Sequence, residues 1–112
     1  MTRRIEQVNE QLRSELAELI QTEIELENGL ITIARVRCSS DLRQAKIYIT
    51  VLPDNLTGTA LKKLRSYSRS FSRSLRKKLN LKYIPKFIWL IDEIEKEAGR
   101  IDDILDQIKP AG

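Results

Sequence analysis

The sequence predicts an α+β domain in which helices are layered on a small sheet. Three observations carry that prediction. Apolar residues recur at helical spacing in two long stretches, and they alternate at strand spacing in two others. A strand-length apolar run, Phe87-Ile88-Trp89-Leu90-Ile91, follows the second helical stretch. The 112 residues contain neither an internal repeat nor a linker long enough to divide domains, so one core is expected.

From Thr2 to about Glu23, Ile5, Val8, Leu12, Leu16, Leu19 and Ile20 fall at steps of three and four, the mark of one buried helix face, with Thr2 placed to cap it. Asn28-Gly29 supplies a turn. Thr32 to Cys38 then alternates Ala34, Val36 and Cys38 against Ile33, Arg35 and Arg37, and Ser39-Ser40-Asp41 closes that strand. Ala45 to Leu52 repeats the pattern, with Ala45, Ile47, Ile49 and Val51 on one side and Lys46, Tyr48 and Thr50 on the other. The two runs are expected to be antiparallel neighbours.

Pro53-Asp54-Asn55 breaks the chain, and a second helical period runs through Leu61, Leu64, Ser68, Phe71, Leu75 and Leu79 before Asn80 stops it. Serine at every second position from Ser66 to Ser74 also matches a strand template or a disordered Arg-Ser tract. The single apolar face decides for helix, with a bend expected among the serines. The run Phe87 to Ile91 is expected to be a central strand covered on both faces. A short acidic helix is expected after Gly99, with Ile101, Ile104, Leu105 and Ile108 on one side, ended by Pro110.

Composition removes whole classes of function. Hydrophobic residues make up 41% and charged residues 32%, a balance that predicts a soluble globule, and no apolar run reaches membrane-spanning length. There is no histidine, the usual agent of proton transfer near neutral pH and the commonest metal ligand. The single cysteine, Cys38, cannot form an internal disulfide and is expected to be a small core-facing strand residue. The four glycines are far apart, which rules out a phosphate-cradling glycine loop. Asp41 and Asp92 are expected to cap a turn and a strand end rather than to form an acid pair. No catalytic residue, metal or cofactor is expected. The polar N-terminal residues lack a signal-type apolar core, so a cytoplasmic protein is expected.

The charge is concentrated. Asn55 to Ile91 carries ten Lys and Arg residues and not one carboxylate, while both flanking segments are net acidic. On a helix, Lys62, Arg65, Arg69, Arg73 and Arg76 fall within about 80° of arc and form a stripe beside the apolar face. Lys63, Lys77, Lys78, Lys82 and Lys86 broaden it. Like charges on adjacent turns repel, so the stripe opposes folding and calls for an external polyanion. Four of the five stripe residues are arginine, whose planar fork pairs with phosphate and stacks on bases, which points to structured RNA. Arg35, Arg37 and Lys46 are weaker phosphate candidates on the strands, and Tyr67 is the favoured base-stacking ring. A merely solvated basic face and an anionic membrane surface are the competing readings; Ser66, Ser70 and Ser74 replace the bulky boundary residues that a membrane helix uses.

Several motifs occur in order: Arg3-Arg4-Ile5, then Ser40-Asp41-Leu42 followed by Ala45-Lys46-Ile47-Tyr48-Ile49, and Phe71-Ser72-Arg73 with Leu75 and Leu79. Leu81-Lys82-Tyr83-Ile84-Pro85 and Trp89 with Asp92 complete the series. Together they resemble the ribosome-binding factor A family of small ribosomal subunit assembly factors, which commonly has Arg-x-x-Pro and Phe-x-x-Asp at the last two places. The resemblance implies a type II KH-like fold, α-β-β-α-(kink)-α-β, with a three-stranded sheet. The two later helices would meet at an Ala-x-Gly kink, which reads Ser68-Arg69-Ser70 here. It also implies a non-enzymatic factor without cofactor that binds the immature 30S subunit and 16S rRNA and assists late maturation, including 5′-end processing.

The expectation is thus a KH-like RNA-binding domain over residues 1–92 with an acidic C-terminal extension over residues 93–112. Its RNA site would comprise Lys62, Arg65, Arg69, Arg73, Arg76, Lys77, Lys78 and Lys82. The partners would be 16S rRNA and the free 30S subunit, bound by a monomer, with no membrane. The alternatives are a generic KH-like module for single-stranded RNA and a protein adaptor that uses the acidic C-terminal helix.

Overall fold

The computed structural model describes residues 2–93, in the order α1 (Thr2–Glu23), β1 (Leu30–Cys38), β2 (Gln44–Leu52), a short 3-10 turn (Asp54–Leu56), α2 (Thr57–Lys78) and β3 (Lys86–Ile91). The expected C-terminal helix and most of the acidic extension lie outside the described residues. No helix among the described residues is long and apolar enough to cross a membrane.

The sheet order is β1-β2-β3, with β2 antiparallel to β1 and parallel to β3. Both helices lie on one face of it. Helix α1 packs chiefly on β1 and α2 on β2 and β3. The core is their shared interior: Val8, Leu12, Leu16 and Ile20 from α1, Ala45, Ile47, Ile49 and Val51 from β2, Ala60, Leu64, Phe71 and Leu75 from α2, and Phe87 and Trp89 from β3. Phe71 and Trp89 meet edge to face with centroids 6.5 Å apart.

Three expectations are corrected. β1 does not alternate throughout, because the register shifts between Ile33 and Arg35 and leaves Ala34 as an extra residue. Such a bulge reverses the facing of everything beyond it. Ile33 and Val36 are therefore both buried, three positions apart, while Arg35 faces outward with its partner Tyr48.

β3 is an edge strand, not a central one: among the described residues it pairs only with β2, which is the middle strand. Phe87 and Trp89 are buried beneath the helices, and Ile88 and Leu90 are half-buried on the other face. Among the described residues helices cover one side only, so the unbroken apolar run overstates the cover.

The third correction concerns the kink. Thr57–Lys78 is helical without interruption, so the two later helices are here one element and Ser68-Arg69-Ser70 is ordinary helix. None of the three residues has the backbone freedom of glycine. Ser68 is instead tied into the helix, its hydroxyl donating to the Leu64 carbonyl at 2.8 Å.

The connections are specific. Asn28 takes the left-handed conformation (φ 60°) that Asn tolerates, and a Cβ on the neighbouring Gly29 would come within 2.5 Å of Leu56 and 2.7 Å of Leu26. In the β1–β2 turn Asp41 acts as expected, accepting from the Ser39 hydroxyl at 2.6 Å and the Arg43 N–H at 3.1 Å. Those bonds hold its carboxyl below the usual range. Asp92 does not cap the strand end with its carboxylate, whose buried Oδ1 has no hydrogen-bond partner among the described residues. Its backbone N–H extends the ladder to the Ile49 carbonyl, and its buried carboxylate lies 3.8 Å from the Arg35 guanidinium, which also stacks over Tyr48 at 4.2 Å.

Candidate nucleic-acid interface

Helix α2 is built with two adjoining faces. Ala60, Leu64, Phe71 and Leu75 are buried against the sheet, and the neighbouring side of the helix carries the exposed Arg65, Arg69, Arg73 and Arg76. Because the helix is continuous, the stripe is one row and does not split into two offset patches.

Helix and edge strand are locked by a single relay. The Trp89 indole N–H donates to the Ser68 hydroxyl at 2.7 Å, and that hydroxyl donates onward to Leu64. Satisfying the indole donor in this way lets Trp89 be buried at the helix–strand contact.

Between α2 and the free edge of β3 runs a groove of ≈ 1320 Å³. Arg65, Ser68, Arg69, Ser72, Arg73 and Arg76 form its helical wall. Tyr83, Ile84, Pro85 and Lys86 to Leu90 form the strand wall, and Arg43 stands at one end. The Lys86 N–H donates to the Arg43 carbonyl at 2.9 Å, which joins the two backbones, while the Arg43 guanidinium lies 3.9 Å from the Asp41 carboxylate. Four arginines on one wall and a strand edge unpaired among the described residues on the other give a cationic cleft that also offers backbone donors and acceptors. No carboxylate among the described residues forms an ion pair with the arginines of the groove's helical wall.

The predicted site residues divide. Arg65, Arg69, Arg73 and Arg76 line the groove together, with Arg69 the one kink residue whose charge serves it. Lys62, Lys77 and Lys82 are exposed but lie outside the groove, as does exposed Ser70. Lys78 is engaged elsewhere, its ammonium 3.2 Å from Glu15 on α1, so it clasps the two helices together. Lys63 likewise donates to the Glu25 carbonyl. Arg35 is taken by Asp92 and Tyr48.

Tyr67 packs on Phe71 at 5.8 Å and is not part of the groove, whereas Tyr83, 44% exposed, lines it. Arg43 was not singled out from the sequence at all, because only the fold brings the β1–β2 turn beside the start of β3. Cys38 is half-buried, and burial pushes its thiol up, away from nucleophilic use.

Fold and cleft together define a small KH-like α+β module with a cationic groove between α2 and β3. The model of the family described as ribosome-binding factor A matches residues 4–105, and the chain belongs to that family. A ribosome-binding factor A from Thermodesulfovibrio yellowstonii is 37% identical over 99 residues, covering 88% of this chain and 84% of the relative. One from Chlamydia pneumoniae is 32% identical over 111 residues, covering 96% and 92%. Among solved structures, the crystal structure of ribosome-binding factor A from Thermus thermophilus superposes with a TM-score of 0.69 at 25% identity, covering 78% of this chain and 93% of that one. A homology model of the Thermus thermophilus factor, as fitted into the electron cryo-microscopy map of a complex of 30S with ribosome-binding factor A, gives a TM-score of 0.64 at 27% identity, covering 72% and 87%.

Proposed function

We propose that this protein is a non-enzymatic assembly factor that binds the immature 30S subunit through 16S rRNA and assists late maturation, including processing of the 5′ end. The observation that carries the reading is the arginine-walled groove. Its four guanidiniums repel one another along α2, and phosphate supplies the counter-charge that the fold withholds from them. Arg65, Arg69, Arg73 and Arg76 bind the RNA backbone, joined by Arg43 and Lys86, while Lys62, Lys77 and Lys82 contribute longer-range attraction. Residues 1–92 form the binding unit, and the acidic segment 93–112 is an extension to it. The protein acts as a cytoplasmic monomer.

Family membership and the fitted 30S complex of the Thermus thermophilus factor support the small subunit as partner. Cosedimentation tests it. The protein should travel with free small subunits and not with intact ribosomes, and cells lacking it should accumulate small-subunit rRNA with an unprocessed 5′ end. Equal binding to short single-stranded oligonucleotides and to subunits would replace this reading with a generic RNA-binding module.

A further inference from the structure

The face of the sheet opposite the helices carries charge that the groove does not use. Arg37 and Lys46 are both exposed and stand directly opposite each other across the β1–β2 ladder. Like charges at such a position oppose strand pairing. Neither forms an ion pair among the described residues. Arg35, two positions earlier on β1, shows the contrast, since it has Asp92 as counter-charge and Tyr48 beneath it.

This pair is continuous with the groove. Lys46 is level with Ile88 on β3 and Gln44 with Lys86. Lys86 is exposed, lines the groove, and alternates outward with Gln44 because Ala45 between the strand ends points into the core. Lys86 therefore stands at the corner where the cleft turns onto the open sheet face, with Ile88 and Leu90 half-buried along the same edge.

We infer that the open sheet face is a second RNA contact, in which Arg37 and Lys46 bind backbone phosphates of a strand that passes from the groove around the β3 edge. The inference rests on the groove being an RNA site. It means that the protein grips RNA on two faces set at an angle, so its footprint exceeds what the groove alone could cover.

The test compares three full-length proteins: the wild type, Arg37→Gln with Lys46→Gln, and Arg69→Gln with Arg73→Gln and Arg76→Gln. Affinity for purified free small subunits, and for protein-free small-subunit rRNA, is measured across a potassium chloride series, with thermal melts to verify folding. Two lost phosphate contacts should flatten the slope of log affinity against log salt by about 1.4–1.8 for the outer-face pair on both targets. The melting temperature of that variant should stay level or rise, because a like-charge pair has gone. An unchanged slope overturns the inference. So does a change seen on subunits but not on naked rRNA, which would assign the face to an acidic protein. Tighter binding by the outer-face variant would overturn it too, by showing that the chain's own acidic segment occupies the face. A loss confined to the outer-face pair would remove the groove reading, and with it the strand that passes from groove to sheet face.

Discussion

Helices α1 and α2 have the same length, 22 residues, and each buries four apolar side chains on the same side of the same sheet. Their outer faces are opposites. α1 carries three arginines and five glutamates, with Arg13 and Glu10 paired on one turn, whereas α2 carries eight basic residues and no acid. The comparison shows that the buried face of a helix sets where it docks, while the solvent face is free to carry function. On α1, Glu10 pairs with Arg13 and Glu15 with Lys78 of α2. On α2, Arg65, Arg69, Arg73 and Arg76 have no ion pair among the described residues, and the repulsion along that row is what a polyanionic ligand would relieve.

The largest effects should be equal for the two helices. Leu16→Ala in α1 and Phe71→Ala in α2 each leave a cavity in the shared core and should cost about 3–5 kcal/mol, read as a drop in the urea midpoint. A much smaller loss for Phe71→Ala would show that α2 is not held by its apolar face. Next comes the relay peculiar to α2. Ser68→Ala orphans the Trp89 indole N–H and should cost about 1–3 kcal/mol, with a change in tryptophan fluorescence. Gly29→Ala sharpens the α1 side of the comparison: its Cβ would press on the ends of Leu26 and Leu56, and a loss of about 1 kcal/mol is expected because those side chains can partly yield.

The smallest effects separate the outer faces. Glu10→Gln removes an exposed intrahelical pair and should lower the urea midpoint only slightly. Arg73→Gln relieves repulsion and should leave stability level or slightly raised. If both substitutions destabilise alike, the α2 arginines have counter-charges within the protein.

Much of this architecture was legible because local pattern and burial agree. The α1 face, the strict alternation of β2 and the α2 face all emerge from spacing, since each element meets the core on one side only. The bulge at Ala34 was not legible, as neither Gly nor Pro marks it. β3 was misplaced to the sheet centre because an apolar run does not reveal which residues its second face meets. For the site, the helical wall followed from periodicity, while Arg43 and Tyr83 lie on turns whose proximity depends on the parallel pairing of β2 and β3. The engagement of Lys78 by Glu15 spans 63 positions and has no local signal.

The central claim is that the solvent face of α2, and not that of α1, is the ligand surface. It is tested by small-subunit affinity for Arg69→Glu, Arg73→Glu, Arg76→Glu against Glu10→Lys, Glu18→Lys, each with folding verified by circular dichroism. Losing three charge-assisted contacts should weaken the α2 variant by about a thousandfold or more. The α1 variant should stay within about threefold of the wild type, as expected for charges remote from the contact. Wild-type affinity in a folded α2 variant, or an equal loss in both, would contradict it.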